Sequence, residues 1–243
     1  MANRLLDRQA SLLDYLGSDE AVFGEERSVA GDPALAGIDA ELLRIEARFS
    51  YEKRMTKIQS LLPRTFDLLG GKLAAVLRDF NSACPPSGLS SFENARRFQE
   101  FLSARWLMEP PLLPYLPDVV AYELACAAFR RDEQQAPADS SHDAPQGSIR
   151  RHPDVVLLRC AYDVQSIFAA TLKKAVPTAR DTPLAIAMSP GAGHTTVMEL
   201  RPAIFDLLVL LDDFADAATF GETPAAAELL TELTTLGLLE VHG

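Results

Sequence analysis

Leu113–Arg131 reads LPYLPDVVAYELACAAFRR, and the fold of the chain turns on how this stretch is read. Pro110, Pro111 and Pro114 hold an extended approach, and Pro117 falls in the first turn of a helix, where a missing N–H costs nothing. Val119, Val120, Tyr122, Leu124, Ala125, Cys126, Ala127, Ala128 and Phe129 then leave almost no polar face. A helix apolar on every side belongs inside a bundle. Its one interior acid, Glu123, must be paired, protonated or used if the helix is buried.

Upstream of this helix the periodicity is helical throughout. Leu5, Leu6, Leu12, Leu13 and Leu16 recur at helical spacing, with Gly17 as a stop. Residues 18–37 are small, acidic and Gly-containing, and predict a surface loop. A long helix is predicted from Ile38, with Asp39 and Glu41 at its positive end and a stripe of Ile38, Leu42, Ile45 and Phe49. The stripe continues through Tyr51, Met55, Ile58 and Leu62. Arg44, Arg48, Lys53, Arg54 and Lys57 read most plainly as its solvated face. Pro63 breaks the helix, Gly70-Gly71 ends the next segment, and Leu73, Val76, Leu77 and Phe80 mark a short helix before Pro85-Pro86. Ser90 and Glu93 have capping-box spacing ahead of Ala95, Phe98, Phe101 and Leu102. Residues 1–131 therefore predict an all-helical bundle with short connections.

Asp132–Ser148 contains no aliphatic side chain larger than Ala, so residues 132–149 predict a flexible linker. After it the period changes. Val155–Ala161 reads as a buried strand, and Asp163 as the cap of a helix bearing Val164, Ile167, Phe168 and Leu172. Leu184–Met188 and Thr195–Leu200 read as a hairpin joined by the SPGAG turn. Pro202 opens a helix, Thr223-Pro224 caps another that Gly237 stops, and Leu238–Val241 offers a last strand. Residues 150–243 thus predict a small α+β domain of the winged-helix kind.

The formal net charge is −11, unevenly spread. Residues 1–131 carry 16 basic and 18 acidic side chains, the linker carries four acids and no Lys or Arg, and residues 150–243 carry 7 basic and 12 acidic. Neither folded half has the cationic surplus that nonspecific nucleic-acid binding requires. No run approaches ~18 consecutive apolar residues, so no membrane span is expected. The amphipathic, acid-containing N-terminus does not read as a signal peptide. Cys84, Cys126 and Cys160 are widely spaced without a CxxC, which fits reduced thiols and a cytoplasmic setting.

No catalytic constellation emerges. His142, His152, His194 and His242 have no ligand partner at helical spacing, so no metal site is expected in this chain. SPGAGHTT lacks the lysine of a phosphate loop and sits between strands rather than opening a helix. Glu123 is the single acid placed like a functional residue; the plainer reading is a buried ion pair, with Arg54 as the favoured partner over Arg44 and Arg48.

One ordered set of residues carries a resemblance. Leu43-Arg44, Tyr51 with Arg54, Leu62-Pro63, Phe66, Leu69-Gly70, Phe80, Pro85-Pro86, Phe98, Phe101-Leu102, and Pro114-Tyr115-Leu116-Pro117-Asp118 with Glu123 occur in a characteristic order. Over residues 5–131 this order resembles the HvfC-type family, named for a DNA-binding domain. That family includes the partner subunits of DUF692-type multinuclear iron enzymes in methanobactin and 3-thiaglutamate biosynthesis. The resemblance implies a noncatalytic accessory subunit, with no cofactor of its own and iron in its TIM-barrel partner. It implies that the helical domain docks on that enzyme, with Pro114, Tyr115, Leu116 and Asp118 as candidate docking residues. It also implies a C-terminal peptide-recognition element in which the leader of a ribosomally made precursor adds as a strand to a sheet edge. Thr195, Thr196, Val197, Met198, Glu199 and Leu200 are the candidate peptide-binding residues, with the helix from Ala225 beside them. The rival expectations are a winged-helix DNA-binding regulator and a stand-alone enzyme built on Glu123. The helix from Ala225 opposes the first, having two acids and no base.

Overall fold

A computed structural model of the chain describes residues 2–24, 35, 37–86, 89–132, 146–169, 176–188, 195–220 and 223–242. These belong to two compact units, Met1–Leu116 and Pro117–Gly243. The first is helical, and the second carries a helix followed by two small antiparallel sheets. The unit boundary thus lies at Leu116/Pro117, and the expected boundary at residue 131 falls inside the second unit. Most of the expected linker, 133–145, lies outside the described residues, and its last residues are not linker: Ser148 already begins a strand.

The first unit contains α1 (Ala2–Gly17), α2 (Asp19–Phe23), α3 (Ala40–Leu61), α4 (Pro63–Leu69), α5 (Leu73–Ala83) and α6 (Ser91–Met108). Helix α2 corrects the loop expected over 18–37. The Ser18 hydroxyl accepts the Ala21 N–H at 3.2 Å, and Asp19 and Glu20 occupy the positive first turn. Asp39 caps α3 in the same way, accepting the Glu41 N–H at 2.8 Å. Pro63 opens α4 at its first turn, and Gly70, at φ +52°, lets the chain leave it in a conformation closed to side chains with a Cβ. The predicted cap of α6 forms: Ser90 accepts the Glu93 N–H at 3.2 Å.

Helix α3 buries the predicted stripe only in its second half, at Met55 and Ile58, with Leu62 just beyond it; in the first half a different face is buried. Leu42, Ile45 and Phe49 are 62%, 57% and 58% exposed, whereas Leu43, Ala47, Arg54, Met55 and Ile58 are buried. The cause is α2, whose Ala21 and Val22 pack against the small Ala47 while Phe23 meets Tyr51 ring to ring at 5.1 Å. The centre of the unit is aromatic. Phe98 of α6 lies 5.6 Å from Phe66 and 5.0 Å from Phe80, and Phe80 lies 5.5 Å from Phe101. Tilted and edge-on pairs of this kind add to the gain from burial itself.

The second unit begins at Pro117, one residue into α7 (Leu116–Asp132), in which every residue from Val119 to Phe129 is buried or half-buried, as a helix apolar all round requires. Then come β1 (Ser148–Arg151), β2 (Val156–Tyr162), α8 (Gln165–Ala169), β3 (Ala179–Met188), β4 (Thr195–Glu199), α9 (Pro202–Leu210), β5 (Ala215–Asp216), α10 (Pro224–Thr235) and β6 (Leu239–His242). One sheet has the order β5-β1-β6 and the other β2-β3-β4, antiparallel throughout. The predicted hairpin is the β3–β4 pair; its SPGAG turn lies outside the described residues, as do Leu172, Lys173 and Lys174. Strands β1 and β5 were not foreseen. They are short, and β1 pairs with β6 some ninety residues later, Ile149 opposite Val241.

Both sheets share one apolar core with α9 and α10. Ile149, Leu238 and Leu239 from the first sheet meet Leu208, Leu211 and Leu233 from the helical layer and Ala185 and Ala187 from the second sheet. The two alanines are what let helices approach that sheet closely. Thr223 caps α10 as expected, accepting the Ala226 N–H at 3.3 Å, and Gly237 at φ +72° ends it.

Candidate functional site

The β2-β3-β4 sheet presents two different edges. Strand β3 lies in the centre, so β4 has no strand on its far side among the described residues. Opposite pairs run from Leu184↔Glu199 to Met188↔Thr195, and the Leu200 N–H donates to the Pro183 carbonyl at 2.8 Å. Backbone groups alternate in direction along an antiparallel strand. Thr196, Met198 and Leu200 therefore turn theirs toward β3, and Thr195, Val197 and Glu199 turn theirs toward the open edge. Pro183 has no N–H to return the bond, which ends the ladder at Leu200.

The side chains divide the same way. Met198, opposite Ala185, and Leu200 pack against the shared core. Glu199 is exposed and clamped by both guanidinium nitrogens of Arg180, with Nη2 to Oε2 at 2.9 Å. Arg180 also pairs with Asp163 at 3.1 Å. Hydrogen bonding to Arg180 holds the Glu199 carboxyl below the usual carboxylate range. All six candidate peptide-binding residues thus lie on or directly after one edge strand, three offering backbone outward and two, Met198 and Leu200, held by packing.

The β2 edge is interrupted by α7. The register slips between Cys160 and Tyr162, and at that bulge the Asp118 carboxylate accepts the Tyr162 N–H at 3.0 Å together with the Ala161 N–H. Burial raises the Asp118 pKa, opposed by those two hydrogen bonds. The Tyr122 and Phe168 rings meet at a tilt, centroids 4.6 Å apart, one turn further along. Burial, aided by the Asp118 charge, pushes the Cys160 thiol up to about 12, which makes it a packing residue rather than a nucleophile at neutral pH.

The four candidate docking residues are divided. Pro114 is exposed, Tyr115 and Leu116 are buried, and the Asp118 carboxylate is engaged by β2. Beside Pro114, sequence reasoning missed a small cleft of about 50 Å³ lined by Leu68, Leu69, Val76, Trp106, Pro110 and Leu113 among others. Leu107, Met108 and Leu112 at and beyond the end of α6 are almost fully exposed. The run of prolines was the available signal, since it keeps this segment from folding onto α6.

Arg54 and Glu123, the expected ion pair, belong to different units, and each is buried. Arg54 donates from Nε to the Asn94 Oδ1 at 2.8 Å. Its Nη1 and Nη2 are buried without a hydrogen-bond partner among the described residues. Among those residues no group of three or more His, Cys, Asp and Glu is arranged to hold a metal ion, and no helix is long and apolar enough to cross a membrane. No protein-family model matches the chain, and no curated protein matches it.

Proposed function

We propose that this chain is a noncatalytic partner protein that binds a ribosomally made precursor peptide and presents its cysteine to an associated multinuclear iron oxygenase. The observation that carries the reading is the β4 edge, where Thr195, Val197 and Glu199 offer backbone donors and acceptors to an added strand. In this reading the β2-β3-β4 sheet with α9 and α10 is a peptide-recognition element of the winged-helix kind, and the leader lies along β4 toward α10. The exposed Leu107, Met108 and Leu112 beside the proline-flanked cleft support a role for the helical unit in docking a TIM-barrel enzyme. The motif order from Leu43 to Glu123 supports the choice of partner class.

The test is co-expression of the full chain with an iron enzyme and a short Cys-containing peptide encoded beside it. Both should co-purify, and the peptide should slow amide exchange at Thr195, Val197 and Glu199. Val197→Pro removes an outward N–H that the β3 ladder does not use, so it should weaken peptide capture while the circular-dichroism spectrum stays unchanged. A chain that captures neither partner, or one that shifts duplex DNA at moderate salt, rules the reading out; the second outcome would favour a regulator.

A further inference from the structure

On α3, Ser50, Lys53, Arg54 and Lys57 recur at the spacing that places them on one helix face. With Ser91 and Asn94 from the first turn of α6 they line a solvent-open cleft of about 190 Å³. Among the described residues no carboxylate lines it. Neither Lys53 nor Lys57 forms an ion pair among the described residues, and the positive end of the 18-residue α6 faces the same space.

Arg54 makes this more than a cationic surface. It is only 8% exposed, and its guanidinium is held in one orientation from two sides. Nε donates to Asn94, whose own amide is fixed by bonds to the Leu89 and Ser90 carbonyls at 3.2 and 3.0 Å. Cζ lies 4.6 Å from the Phe80 ring centroid. That leaves Nη1 and Nη2, buried and without hydrogen-bond partners, in a residue that lines the cleft. Burial lowers the Arg54 pKa, as expected for a cation withdrawn from water without a counter-charge. Guanidinium N–H groups are buried at a cost unless an acceptor meets them, and a paired set of Nη donors matches two oxygens of an oxyanion.

We propose that this cleft binds the phosphoryl group of a small phosphorylated ligand, with Arg54 as the bidentate donor and Lys53 and Lys57 balancing the charge. Three cations with no acid among them favour a dianionic phosphate over a single carboxylate. The Ser50 hydroxyl is turned to Glu46 at 3.3 Å and so shapes the rim. The site lies wholly in the helical unit and is independent of the β4 reading.

Calorimetric titration of the full chain with inorganic phosphate, glycerol 3-phosphate and acetate at matched ionic strength tests it. Both phosphates should bind, the tighter one identifying the source, with acetate weaker by at least roughly tenfold. The double variant Lys53→Gln/Lys57→Gln, exposed positions that leave the core intact, should lose at least roughly tenfold in phosphate affinity without a change in ligand-free melting. Arg54→Lys, which keeps the charge but not the fork, should lose it as well. Absence of phosphate binding, equal affinity for acetate, or undiminished affinity in the double variant would overturn the assignment.

Discussion

Asp118 and Arg54 are both charged side chains withdrawn from water, and the chain treats them in opposite ways. Asp118 meets two backbone N–H groups at a bulge in β2, which spend its oxygens on holding a strand end in place. Arg54 is more deeply buried, yet only its Nε is spent. A buried polar group whose partners are all internal is a structural fastening. One that is fixed in orientation and left with open donors is preorganised for something that arrives from outside.

The contrast can be broken by substitution. Asp118→Ala strands two backbone donors and should cost about 1–3 kcal/mol in urea unfolding. Arg54→Met should cost less, below about 1.5 kcal/mol, because removing an incompletely paired buried cation also removes its desolvation penalty. A loss of several kcal/mol for Arg54→Met would mean that the guanidinium is internally paired, and the contrast would collapse.

The pH dependence sharpens it. Burial raises the Asp118 pKa, so the folded chain keeps this proton to a higher pH than the unfolded chain does. Its contribution is full below the unfolded value of about 3.9 and is lost as pH rises through the higher folded value. The difference in urea midpoint between the parent and Asp118→Asn should therefore fall as pH rises through this acidic range, whatever slope carboxylates held down by arginines, such as Glu199 and Asp181, give to both proteins. An identical slope in both proteins would remove Asp118 as its source. At the small end stands Arg159, whose fork to Asp181 is well formed at 2.7 and 2.8 Å but fully in water. Arg159→Ala should leave the urea midpoint where it is, because solvent screens such pairs.

Much of the local structure was legible in the residues. Ser90 and Thr223 cap the helices they were expected to cap, Pro63 and Gly70 bound α4, and two short runs joined by turn residues located the β3–β4 hairpin. Ser18-Asp19-Glu20 was an equally clear cap, and the small residues after it obscured α2. The candidate edge strand was legible as a strand, but its being an edge was not. That depends on β2 taking the other side of β3, and nothing within Thr195–Leu200 encodes it.

What the sequence by itself determined is therefore local: where helices start and stop, which strands turn back on each other, and that α7 must be withdrawn from water. These follow from chemistry within a few residues, namely caps, prolines and hydrophobic period. Tertiary structure alone decided which face is buried in the first half of α3, since Leu42-Ile45-Phe49 and Leu43-Ala47 are both at helical spacing and only the approach of α2 to Ala47 separates them. The same packing carried Arg54 inward and set Asn94 and Phe80 against it. Arg54 reads from the sequence both as part of a solvated face and as the candidate partner of Glu123, and the packing decides for burial, because burial is a property of what packs against a residue and not of what precedes it.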